Sequence, residues 1–84
     1  MKLFLLTQTV NDEYDTFDAI VVSAESEEDA KTIPPGFNTG YGRTSHWDKS
    51  MWVPYESRDE DITAEYIGET HKPRGVILNS FNAG

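Results

Sequence analysis

The sequence predicts an α+β fold: a small antiparallel sheet in the order β-β-α-loop-β-β, with one short helix on one face and a long irregular aromatic middle segment. Three observations carry this expectation. Short apolar or β-branched runs, "KLFLLTQTV", "AIVVSA", "ITAEYIGE" and "GVILNSF", are separated by turn-forming residues. A helix start signal follows the second run. Between residues 36 and 51 neither a period of 2 nor one of 3.6 is sustained, while glycine recurs at 36, 40 and 42. With 84 residues the chain fits a single domain, since a domain of this size buries only about 60 to 65% of its unfolded surface and cannot be divided further.

The elements follow in order. Lys2 to Val10 reads as a first strand, apolar on both faces over Leu3–Leu6 and alternating over "TQTV". The run imitates an export signal, but it ends at Thr7 where export needs roughly 7 to 15 apolar residues. "NDEYDTFD" supplies Asn and Asp for a long hairpin tip, and "AIVVSA" a second strand. In "SAESEEDAKTIPPG" Ser26 can cap the backbone amides with Asp29 three residues on, and Glu27, Glu28 and Asp29 suit the positive end of a helix dipole. Ala30 and Ile33 can then face the sheet, until Pro34 and Pro35 end a helix of two or three turns. "MWVPY" reads as a short extended piece demoted towards an edge by Pro54, and "ESRDED" as an exposed turn. "ITAEYIGE" is a third strand. "GVILNSF" is a last strand apolar enough to lie centrally. One helix covers little of a sheet, so Phe37, Tyr41, Trp47, Trp52 and Tyr55 are the natural material to cover the rest.

Charge narrows the function. Seven basic residues stand against fifteen acidic ones, a formal net charge of −8. Such a field repels phosphate, so direct nucleic-acid binding is disfavoured and a protein with a basic surface is the expected partner. Residues 1–29 hold eight acids against Lys2, net −7, whereas residues 30–55 hold three bases against Asp48, net +2. The absence of cysteine excludes a disulfide framework and a thiolate zinc site, and suits a reducing cytoplasm. No apolar run approaches the 18 or so residues of a membrane span.

Catalytic and cofactor signatures fail one by one. Neither "NDEYDTFD" nor "DEDITAE" has the glycine and the bidentate Glu that a calcium loop requires. His46 and His71 are far apart, and Ser45 beside His46 forms no dyad, because neighbouring side chains seldom face one another. "GYGRTS" follows no strand and opens no helix, so it is not a dinucleotide loop. The chain therefore reads as a non-enzyme without metal or cofactor.

Binding remains, and two surfaces offer it. Asp12, Glu13, Asp15, Asp18, Glu27 and Glu28 form an acidic face if the hairpin tip and the helix start lie together, and such a face can imitate a row of phosphates for a basic groove. The plainer reading is a solvated acidic surface. The middle segment offers Tyr41, Arg43 and Trp47, residue types enriched at interface hot spots, with Trp47 and Trp52 alternatively serving as core anchors. Through that loop, 36–52, the alternative function is nucleic-acid or small-ligand binding. A further alternative is a self-associating structural protein, a homodimer formed through edge strands.

"FLLTQTVNDEYDTFDAIVVSAESEEDAK", together with "YIGE" and "RGVILNSFNAG", resembles a group of small uncharacterised proteins found in bacteria and their phages, over Phe4–Lys31 and Tyr66–Gly84. The resemblance implies a cytoplasmic accessory protein of phage or prophage type. Size and charge are similar to those of anti-CRISPR proteins and other DNA mimics, which implies a non-catalytic inhibitor or modulator of a host nucleic-acid-handling complex.

Overall fold

The computed structural model describes residues 1–11, 16–35, 47 and 52–82. Strand β1 spans Lys2–Thr7, β2 Thr16–Ala24, β3 Thr63–Glu69 and β4 Gly75–Asn82; helix α1 spans Glu27–Ala30, and a 3-10 turn over Tyr55–Ser57 leads into helix α2, Arg58–Asp61. The strands form one antiparallel sheet in the order β3-β1-β2-β4. The fold is thus α+β with a small antiparallel sheet, and β1 and β2 pair with each other as the expected hairpin.

Alternation along the two central strands builds the core. Phe4 and Leu6 stand opposite Val22 and Ile20, and all four are buried on one face of the sheet. Ala30, Ile33, Trp52, Val53 and Ile62 close over them. On the opposite face Leu5, Val21 and Leu78 occupy one row across three strands, with Glu65 continuing it on β3. Leu5 and Val21 are half-buried there, while Leu78 is 64% exposed.

Gln8 locks the mouth of the hairpin. Its Nε2 donates to the carbonyls of Phe17 (2.9 Å) and Asn11 (2.7 Å), and its Oε1 accepts from the Asn11 amide at 2.7 Å. The Asn11 side chain in turn donates to the Trp52 carbonyl at 3.1 Å. One buried amide thereby satisfies three backbone groups that lie beyond the paired length of β1.

Five expectations are corrected. β1 ends at Thr7: one more backbone bond follows, from the Gln8 amide to the Asp18 carbonyl at 3.2 Å, and past it the Gln8 side chain takes over the contacts to Asn11 and Phe17. β4 is an edge strand, since its apolar Ile77 and Leu78 face outward, while the strands apolar on both faces, β1 and β2, take the centre. Trp52–Pro54 pairs with no described strand: Trp52 and Val53 are turned into the core, and Pro54, with no amide hydrogen, starts the 3-10 turn instead. "ESRDED" is helical over Arg58–Asp61, where the Ser57 hydroxyl donates to the Asp61 carboxylate at 2.6 Å. Helix α1 is also a single turn, shorter than expected, although Ala30 and Ile33 are buried as its spacing predicts.

Candidate functional site

Helix α1 is too short to persist by propensity, because nucleation costs more than one turn of hydrogen bonds returns. Local ties hold it. The Ser26 hydroxyl accepts from the Asp29 amide at 3.1 Å, and the Asp29 carboxylate reaches back to the Glu25 amide at 3.2 Å. From the far end of the chain Arg74 clamps the same carboxylate, donating through Nε to both oxygens at 3.0 Å, and its Nη2 donates to the Thr32 hydroxyl at 2.9 Å. The guanidinium's hydrogen bond is the main reason the Asp29 carboxyl titrates below its ordinary value of 3.8; the Glu25 amide adds to the effect and desolvation opposes it.

Beside this turn lies α2. The Lys31 ammonium donates to the Asp59 carbonyl at 3.1 Å and joins the two helices. Arg58 lies over the Tyr55 ring, 3.9 Å from its centroid, and donates to the Tyr55 carbonyl at 2.9 Å. Between the helices runs an open groove of about 590 Å3, lined by the acids Glu27, Glu28, Asp29 and Asp59 and by the bases Lys31 and Arg58.

The electrostatics of this groove are lopsided. The three nearby bases are engaged by the protein itself: Lys31 by a backbone carbonyl, Arg58 by a carbonyl and a ring, Arg74 by Asp29. Glu27, Glu28, Asp59 and Glu60 are exposed and form no ion pair with any described residue. Such a site can attract and seat ammonium or guanidinium groups. Its two hydroxyls are tied to the Asp29 backbone, Ser26 accepting from the amide at 3.1 Å and Thr32 donating to the carbonyl at 2.6 Å, and among the described residues no three His, Asp or Glu side chains converge to hold a metal ion.

The sequence-predicted residues divide as follows. Glu27 and Glu28 are brought together on α1 at the groove. Asp18 stands six residues before the end of β2, about 20 Å away along a strand. Most of the length of β2 therefore separates Asp18 from Glu27 and Glu28. Asp12, Glu13 and Asp15, and Tyr41 and Arg43 of the loop 36–52, lie outside the described residues. Trp47 is half-buried: its indole donates to the Val53 carbonyl at 2.6 Å and meets the Tyr55 ring edge-on at 5.0 Å. Sequence reading overlooked Asp59 and Glu60, whose alternation looked like a solvated turn. The one available signal was Ser57 four residues before Asp61, a spacing that suits a helical turn.

No family model, curated protein or solved structure matches this chain. No helix among the described residues is long and apolar enough to cross a membrane.

Proposed function

We propose that this chain is a non-catalytic acidic protein-binding module whose α1/α2 groove receives a basic segment of a partner protein. The partner class is a nucleic-acid-handling protein, inhibited or modulated by an accessory protein of phage or prophage type that occupies its basic surface. One observation carries the reading: Glu27, Glu28 and Asp59 line one groove without an ion pair to any described residue, while Asp29 is paired with Arg74 and the two bases that also line it, Lys31 and Arg58, donate to backbone carbonyls. Opposite charge in a groove of this kind guides encounter and fixes register.

The test separates the groove from net charge. A lysine- and arginine-rich peptide is titrated against the wild type and against two variants with the same charge change. One carries Glu27→Lys, Glu28→Lys and Asp59→Lys; the other carries Asp18→Lys, Glu65→Lys and Glu69→Lys. The expected result is at least a tenfold loss for the first, a smaller loss for the second, and wild-type affinity that weakens as salt rises. Equal losses make the acids a diffuse solubility charge and refute the groove. Retention of an oligonucleotide in place of the peptide shifts the function to Tyr41 and Arg43.

A further inference from the structure

Arg74 holds Asp29 in the way an arginine from another protein could. Its Nε donates to both carboxylate oxygens at 3.0 Å, and its Nη2 lies 2.9 Å from Oδ1 and donates to the Thr32 hydroxyl at 2.9 Å. Hydrogen bonds that do not involve Arg74 shape both acceptors. The Glu25 amide donates to Asp29 Oδ2 at 3.2 Å, and the Thr32 hydroxyl gives its own hydrogen to the Asp29 carbonyl at 2.6 Å, which leaves its lone pairs for a guanidinium. Asp29 and Thr32 both line the groove, whereas Arg74 does not and comes to them from the turn that precedes β4.

We infer, resting on the groove as the binding site, that Asp29 and Thr32 form a guanidinium seat, held by the chain's own Arg74 and yielded to an arginine of the basic partner segment. Three features favour exchange over a fixed staple. The pair is open to water, with the Arg74 side chain 46% and the Asp29 side chain 26% exposed, and exposed ion pairs are weak enough to be replaced. The turn that carries Arg74 is fastened without it: the Thr70 amide donates to the Met1 carbonyl at 2.9 Å and the Ser23 hydroxyl to the Lys72 carbonyl at 3.1 Å, so the side chain can leave while the backbone stays. Besides Asp29, which holds the Arg74 pKa up chiefly by hydrogen bonding, the Glu25 carboxylate favours the same positive charge and can receive the released guanidinium.

The seat selects arginine over lysine. A planar fork reaches two carboxylate oxygens and a hydroxyl together, whereas an ammonium is a single point of charge. Glu27, Glu28 and Asp59 supply the attraction that any basic segment feels, and the seat supplies the choice between the two basic side chains.

Isothermal titration with hexa-arginine and with hexalysine, at one salt concentration, tests the exchange on the wild type, Arg74→Ala and Lys72→Ala. Both variants lose one positive charge, and only the first empties the seat. Arg74→Ala is expected to bind hexa-arginine at least about threefold tighter than Lys72→Ala does, the scale of one exposed ion pair, with a smaller gain for hexalysine. In the wild type the NMR signal of the Arg74 Nε–H is expected to move to the position of a free guanidinium as hexa-arginine is added. Circular dichroism checks that Arg74→Ala is folded, and Arg74→Met, which keeps the aliphatic stem, replaces it if it is not. Binding of hexa-arginine by the emptied seat no tighter than by Lys72→Ala, an equal gain for both peptides, or an Arg74 signal that stays in place while the peptide binds overturns the inference and leaves the groove standing. Failure of all three chains to bind either peptide refutes the groove itself, and the inference with it.

Discussion

Trp52 is the largest of the fully buried side chains, with 0% exposure, and its indole N–H has no hydrogen-bond partner among the described residues. These two facts predict effects of very different size for two substitutions. An indole hides roughly 200 to 250 Å2, which at about 25 cal/mol per Å2 corresponds to about 5 to 6 kcal/mol of apolar burial. Trp52→Ala removes most of that and leaves a cavity, at a cost of about 3 to 5 kcal/mol. A chain of 84 residues is stable by only about 4 to 12 kcal/mol, so the midpoint falls by roughly 15 to 30 °C, if the variant folds at all. Trp52→Phe instead loses only about 1 kcal/mol of packing and removes a buried donor whose unmet desolvation costs about 1 to 3 kcal/mol. It is therefore expected within about 1 kcal/mol of the wild type, on either side. Urea denaturation followed by circular dichroism measures both. If Trp52→Phe destabilises as much as Trp52→Ala, the N–H is satisfied in solution or the indole's shape is indispensable, and the reasoning fails.

Gln8→Leu keeps the volume but strips the Phe17 carbonyl and the Asn11 backbone of their partners, so unfolding experiments should show a loss of about 2 to 3 kcal/mol. Asp29 holds its charge below the ordinary carboxylate value of 3.8 in the folded chain, so its contribution is complete above that value and fades as pH falls through the lowered one. The pair is partly exposed, which limits the contribution to about 0.5 to 1 kcal/mol. Arg74→Met should show that loss already at pH 7 and a flatter stability profile below pH 4, whereas an unchanged acid limb would place the titration elsewhere.

What the sequence made legible was local. Ser26 and Asp29 marked α1 because a capping interaction spans three residues, and the β1–β2 hairpin was visible because two apolar runs flank one turn-rich stretch. Sheet order was harder, because apolarity alone does not say whether a strand is apolar on one face or on two. Leu3–Leu6 carried apolar residues on both faces and belonged in the centre; "GVILNSF" had equal apolarity but leaves Ile77 and Leu78 outside. The groove could not be read at all. It depends on Lys31 reaching Asp59 across 28 residues and on Arg74 reaching Asp29 across 45, and no local pattern encodes either.

Those long-range ties also explain how so acidic a chain can hold two acidic turns side by side. The positive N-terminal ends of two short helices favour carboxylates in their first turns, yet the same carboxylates repel one another across the groove. Lys31 does not neutralise that repulsion by pairing with a carboxylate; it binds the Asp59 carbonyl and places its charge between the turns. Arg74 cancels Asp29 alone. The bases therefore fix the spacing of the turns while Glu27, Glu28, Asp59 and Glu60 remain directed to solvent. Exposed pairs between those acids and the nearby bases would add little stability, so the arrangement leaves Glu27, Glu28 and Asp59 unpaired beside Lys31 and Arg58 in one groove at small cost.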